Sequence, residues 1–309
     1  MNPTYRFEFY AMASICEIAL GSGSNASARA AADLAINEVR RIESKYSRFT
    51  SDSVVAHINQ EAAKKPVAVD EETRFLLNYA DQIHRLSGGL FDITTGVLQQ
   101  AWDFRAGIIA EPERLRELRQ HVGWSKVRLI DEGIFFTQSQ IQIDFGGFGK
   151  EYAADRAAGV LRQQGVCSGF VNLGGDVSTL GLRPDGQAWS MGIRHPRSPG
   201  KLIASIPLAD AALATSGDYE RYFEHNGRRY CHILSPETGE PVNHWQSVSV
   251  VAPRAITAGT AATISMLLEA TGLEFLQRSG LPFLAVNPQG EIVTHSAREP
   301  DGAGADYGR

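Results

Sequence analysis

The segment "RYFEHNGRRYCHIL" (221–234) constrains the fold most. Two strand-like runs flank Asn226-Gly227. A two-residue type I′ turn needs positive φ at both central positions, which Asn and Gly tolerate, and its twist suits the strands on either side. So short a loop joins only antiparallel neighbours, because a parallel pair needs a crossover of about a dozen residues or more. "PFLAVNPQGEIVTHS" (282–296) repeats the device around Pro288-Gln289-Gly290, and residues 5–20 read as a further strand pair. "KVRLI", "IFFT", "IQIDF", "SGFVNLGG", "WSMGIRH", "LIASIPLA" and "SVSVVAP" supply more short strands.

Helices are interspersed with these strands. Residues 26–44 place Ala32, Ala35, Ile36, Val39 and Ile42 at helical spacing. Residues 70–89 open on acids and close near Gly88, matching the helix dipole and a glycine stop. Residues 111–122 carry Pro112 early, where a missing N–H costs little. "AITAGTAATISMLLEA" and "GLEFLQRSG" read as a longer and a shorter helix. The mixture predicts an α+β fold with mostly antiparallel sheets and packed helices, not a doubly wound sheet. One domain is expected over residues 1–297, and a flexible, polar, glycine-rich tail over 298–309.

With 309 residues, 43% of them apolar, the chain can bury a sizeable core. A net charge of −5 and no basic stripe argue against nucleic acid. No apolar run approaches the roughly 20 residues of a membrane helix, so no membrane insertion is expected. The N-terminus alternates like a strand and lacks the basic start and cleavage site of a leader, which predicts a cytoplasmic protein. Cys16, Cys167 and Cys231 are odd in number and lack metal-ligand spacing, so buried thiols in a reducing compartment are expected.

"IDFGGFGKEYAADRA" (143–157) runs from an apolar strand through a glycine turn into an alanine-rich helix, an arrangement that can hold a phosphate on backbone N–H groups. It is neither a dinucleotide fingerprint, which follows a first strand as GxGxxG, nor a P-loop, since Lys150 precedes Glu151 and the GxxxxGK[ST] frame is absent. Further polar-glycine stretches follow the same theme: "GGLFDITTG" (88–96), "VNLGGD" (171–176), "ATSGDYER" (214–221) and "RRYCHILSPETGEPV" (228–242). Each alone is a capped turn. A zinc hydrolase built from His225, Cys231, His232 and His244 lacks the expected ligand spacings, and a redox enzyme lacks a cysteine pair and the right glycine spacing.

In order and spacing, these stretches resemble the ApbE family, the FAD:protein FMN transferases, along nearly the whole chain. Met12-Ala13-Ser14 is similar to an N-terminal "MGT" element. Ser44, Tyr46 and "SVVAHIN" (53–59) follow an "S-x-Y…S-E-L-x-x-L-N" element, with Val54 for glutamate. Asp144–Asp155 resembles "D-L-G-G-I-A-K-G-Y-A-x-D", with Glu151 where the family has glycine. "GxFDxTxG", "N-x-G-G-D", "S-G-D-Y-x-R" and "H-I-x-x-P-x-T-G-x-P" are also matched.

The resemblance implies an ApbE-like (T-fold-like) architecture. It implies transfer of FMN from FAD to a Thr or Ser hydroxyl of an acceptor protein, with release of AMP. The catalytic positions would be His232, as general base, and Lys150. FAD would meet Met12, Tyr46, Phe91, Asp92, Lys150, Gly174, Gly175, Asp176, Ser216, Gly217, Asp218, His232 and Ile233. Magnesium would meet the Gly147 carbonyl and the Thr263 side chain. The family motif "A-D-A-L-x-T" reads "TAGTAAT" (257–263) here, which puts Gly259 where the metal-binding aspartate belongs. Cys231 also stands where a histidine often precedes the catalytic one. The resemblance therefore implies a weakened or absent magnesium site. The alternative is a family member that binds FAD as a carrier or sensor without turnover. Asp155 is expected to cap or pair rather than to react.

Overall fold

A computed structural model of the chain describes residues 2–296. The expected tail, 298–309, lies outside the described residues. Along the chain come β1 (Thr4–Ala11), β2 (Ser14–Gly21), α1 (Asn25–Tyr46), α2 (Val54–Glu61), α3 (Glu71–Leu86), α4 (Pro112–Arg119), β3 (Val127–Ile130) and β4 (Gly133–Phe136). Then follow α5 (Gly149–Gln163), β5 (Gly169–Leu173), β6 (Asp176–Leu180), β7 (Trp189–Arg194), β8 (Leu202–Leu208), β9 (Ala212–Gly217), β10 (Tyr222–His225) and β11 (Arg228–Cys231). The last elements are β12 (Ser247–Ala252), α6 (Ala255–Leu267), α7 (Gly272–Ser279), β13 (Phe283–Val286) and β14 (Ile292–His295).

An eight-stranded sheet runs β1-β2-β5-β6-β9-β12-β13-β14, and every neighbouring pair in it is antiparallel. Because direction alternates at each step, β1, β5, β9 and β13 all end at one edge of the sheet. The predicted hairpin is present: β10 pairs with β11, with φ of 49° at Asn226 and 74° at Gly227.

Helices α1, α5 and α6 pack on one face of the sheet. Their contact surfaces are small: Ala28, Ala32 and Ala35 on α1, Ala153, Ala154, Ala157 and Ala158 on α5, and Ala258, Ala261 and Ala262 on α6 are all buried. Small side chains let helix axes approach closely, so a carboxylate between these helices has little room. The other face is covered by the β7–β8 ribbon. Trp189, Met191 and Ile193 alternate inward onto Phe170, Val177 and Leu213.

The structure departs from the sequence reading at three points, the first being the Cys167 thiol, which is exposed although those of Cys16 and Cys231 are buried as expected. "IQIDF" is not a strand, although Ile141 and Ile143 are buried. The Asn59 side chain takes the place of a strand partner, accepting from the Ile143 N–H (2.8 Å) and donating to its carbonyl (3.0 Å). "VVAHINQE" is a helix that the apolar pattern did not announce, started by the Ser53 hydroxyl, which accepts from the Ala56 N–H at 3.0 Å.

Candidate active site

The sheet edge where β1, β5 and β9 end gathers most of the predicted polar residues. Met12 and Ala13 form the β1–β2 turn with φ of 50° and 56°, and the Met12 N–H donates to Glu43 Oε1 at 2.5 Å. Gly174 and Gly175 form the β5–β6 turn with φ of 66° and 112°. A Cβ on Gly174 would lie 2.9 Å from both Cβ and Oγ of Ser14, so glycine there allows the two turns to touch.

Lys150, in the first turn of α5, donates from Nζ to Asp176 Oδ2 at 3.0 Å. The Asp176 charge holds the ammonium above the usual lysine range. Arg194 of β7 reaches over the edge and donates to the Gly174 carbonyl (3.2 Å) and to Glu220 Oε1 (2.7 Å). Beyond β9, buried Asp218 accepts two hydrogen bonds from Arg197 at 2.7 and 2.6 Å and pairs with Arg229 at 3.4 Å. A bidentate guanidinium pair of this kind is geometrically specific. Ser216, near the end of β9, shares a 2.7 Å hydrogen bond with Thr263 of α6. None of Arg194, Arg197 and Arg229 carries a motif, and only the fold brings them to this edge.

His232 follows β11. Its main-chain N–H donates to the Arg221 carbonyl at 3.0 Å, and its side-chain Nδ1 is enclosed without a hydrogen-bond partner. Burial, followed by the Arg221 and Lys150 charges, lowers its pKa to about 4. The surroundings favour the neutral imidazole that a general base requires, and they leave Nδ1 without a partner.

Residues 4–285 match the model of the ApbE family. The chain belongs to the ApbE family. The FAD:protein FMN transferase of Vibrio cholerae serotype O1 is 29% identical over 255 residues, covering 80% of this chain and 76% of that protein. The crystal structure of the ApbE protein from Thermotoga maritima superposes with a TM-score of 0.88 at 32% identity, over 96% of this chain and 100% of that one. The Pseudomonas stutzeri flavinyl transferase ApbE, in its apo form, gives 0.83 at 26% identity, over 96% and 95%. The mixed α+β architecture with antiparallel sheets is thus that of ApbE proteins.

Other residues that the family pattern points to lie inside the scaffold beside this edge. Tyr46 is buried, with its hydroxyl 3.2 Å from Thr73 Oγ1. Asp92 starts a 3-10 turn: it accepts from the Thr94 N–H (2.8 Å), the Thr94 hydroxyl (2.6 Å) and the Trp124 N–H (2.8 Å). Phe91 stacks on Phe148, and its ring would meet a Cβ on Gly147 at 2.7 Å. Ile233 packs partly buried against the core around Trp245 and Val248. Asp155 caps, as expected. Its carboxylate accepts from the Ala255 N–H (2.8 Å) and the Ile256 N–H (3.0 Å), starting α6, whose own N-cap residue Arg254 makes no side-chain cap.

Burial pushes the Cys231 thiol up to about 12, and its Sγ donates to the Val242 carbonyl at 3.3 Å. Among the described residues no three His, Cys, Asp or Glu side chains cluster in a way suited to a metal ion, so the zinc hydrolase reading has no support.

The position where the resemblance implied a missing carboxylate is Gly259. A Cβ built there would meet Glu151 Oε1 and lie 2.6 Å from its Cγ and 2.7 Å from its Cδ. The space beside Gly259 therefore holds a carboxylate, delivered from α5 instead of α6. Glu151 is 7% exposed, and its Oε2 is buried with no hydrogen-bond partner. Burial, reinforced by the Asp176 charge, pushes its carboxyl pKa up.

Proposed function

We propose that this protein transfers FMN from FAD to a threonine or serine hydroxyl of an acceptor protein, releasing AMP. The family match over residues 4–285 carries this reading, and the cationic, glycine-lined sheet edge supports it. In the transfer, the acceptor oxygen forms a bond to the FMN phosphorus, and the bond from that phosphorus to the bridging oxygen breaks. AMP leaves with that oxygen, and the hydroxyl proton passes to a base. Such transfers depend mainly on positioning and charge neutralisation.

Lys150 and Arg194, on either side of the Gly174 turn, are suited to neutralising the pyrophosphate. Neutral His232, with its free Nδ1, is suited to accepting the proton, and the extra negative charge of bound FAD would raise its basicity. Magnesium would be held by oxygen donors at Gly147 and Thr263. When bound, it supplies further charge neutralisation at the pyrophosphate.

The alternative, a FAD carrier or sensor without turnover, rested on a missing carboxylate at Gly259. Glu151 fills that space, so no specific observation now favours it. Incubation with FAD, magnesium and threonine- or serine-containing acceptor domains, followed by AMP release and acceptor mass, tests the proposal. The expected result is stoichiometric AMP and flavinylated acceptor. Tight FAD binding with neither product would refute it.

A further inference from the structure

Helices α5 and α6 lie side by side in a register of four-residue steps. Asp155 meets the N–H groups of Ala255 and Ile256, and one turn back on α5, Glu151 meets Gly259, one turn forward on α6. The helices are therefore antiparallel at this contact. Continuing the same step outward from this contact points to Gly147, which precedes α5, and to Thr263 of α6. Ser216 fixes the Thr263 hydroxyl at 2.7 Å.

The side chain of Glu151 leaves its helix in the direction of this level, because Cα–Cβ bonds tilt toward the helix N-terminus. Its Oε2 is buried and unpaired, a costly state for a carboxylate unless a cation or donor faces it. The Lys150 charge and the residue's own N–H favour the ionised form, but neither makes a hydrogen bond to Oε2. The Lys150 ammonium is engaged with Asp176 at 3.0 Å, and Asp155 is itself an acid spent on the start of α6. The Glu151 carboxylate, with the Gly147 carbonyl and the Thr263 hydroxyl that the family resemblance assigns to magnesium, would make an all-oxygen set suited to a hard divalent cation.

We propose that Glu151 is the carboxylate ligand of a divalent cation held in the α5–α6 seam with the Gly147 carbonyl and the Thr263 hydroxyl. The acid has moved from one helix to its neighbour. A side chain at position 259 and the present course of Glu151 exclude each other, so glycine at 259 is the condition for glutamate at 151. This deepens the transferase reading and rests on it only for the purpose of the cation. Binding itself does not depend on turnover.

The test is Mn2+ uptake by the full chain, read as loss of the free Mn2+ electron paramagnetic signal, with and without saturating FAD. The wild type is expected to take up Mn2+. Glu151→Gln, which keeps shape and removes charge, should weaken uptake by about 100-fold or more. The exchange variant Glu151→Gly/Gly259→Asp should recover to within about 10-fold of wild type. Thermal melts confirm that each variant is folded. Unchanged affinity in Glu151→Gln overturns the proposal, as does a wild type that takes up no Mn2+ with FAD present, or a folded exchange variant that binds none. The transferase reading fails separately: Mn2+ uptake lost in Glu151→Gln with no AMP release by the wild type would leave the ligand assignment standing and remove the activity. AMP release by a Glu151→Gln variant of unchanged affinity would do the reverse.

Discussion

Replacing Gly259 with alanine tests the contact between α5 and α6 without any metal. Gly259 lies inside α6, where alanine normally stabilises a helix by about 1 kcal/mol over glycine. Here the new methyl would meet Glu151 Oε1 and sit 2.6 Å from Cγ and 2.7 Å from Cδ, so the glutamate must move as a unit beyond its own Cβ. Alanine-lined helix faces leave it little space, and overpacking of this kind costs about 1–3 kcal/mol. Gly259→Ala should therefore destabilise the wild type by about 1 kcal/mol net. In a Glu151→Ala background the clash is gone, and the same change should stabilise by about 1 kcal/mol. The coupling is then about 2 kcal/mol, well outside the roughly 0.5 kcal/mol expected of independent sites. Urea unfolding of the four proteins in chelator measures it, with equal m-values required for the comparison. If Gly259→Ala stabilises both backgrounds alike, the close approach is not a constraint and the exchange argument fails with it.

Two further outcomes follow from single residues. Asp155→Ala removes the carboxylate that accepts from the first N–H groups of α6 and should cost about 2 kcal/mol in chemical denaturation. Asp155→Asn should recover part of this, and a loss under about 0.5 kcal/mol would show that α6 starts without it. His232 is held at about 4, below its ordinary value of 6.5, so the unfolded chain binds the proton more readily. Its contribution is complete above pH 6.5 and is lost as pH falls through about 4, a loss of about 3 kcal/mol. Urea midpoints measured between pH 7 and 4 should fall less steeply in His232→Gln, and parallel slopes would show that the imidazole is not desolvated.

Local pattern carried most of the fold. The turn chemistry of Asn226-Gly227, the alanine spacing of α1 and the acid-led start of α3 are properties of a few adjacent residues, and each element formed as read. "IQIDF" misled because its alternation of buried isoleucines is real but its hydrogen bonds go to the Asn59 side chain, which no periodicity encodes. The glycine turn at Gly174, the strand end at Gly217 and Lys150 at the start of α5 were legible because motifs mark them. Arg194, Arg197 and Arg229 were not, since an arginine on a strand or loop reads as a solvated charge until topology shows which acid it faces.

The same blindness affected the departures from the family pattern. Read singly, Glu151 is an odd acid in a helix and Gly259 a lost metal ligand, and the second reading implied a crippled site. A motif is scored position by position, whereas a ligand acts at a point in space that several positions can reach. Asp155 shows the principle without any metal: the cap of α6 comes from α5, because the two helices run antiparallel in steps of one turn. Glu151 occupies the next rung of that ladder and reaches the space a side chain at 259 would fill. The contact couples the two positions, since a side chain at 259 would meet the glutamate that now fills that space. If charge at this seam serves the chemistry, it is the sum over both helices that must be kept, and either single reversion should harm the protein more than both together.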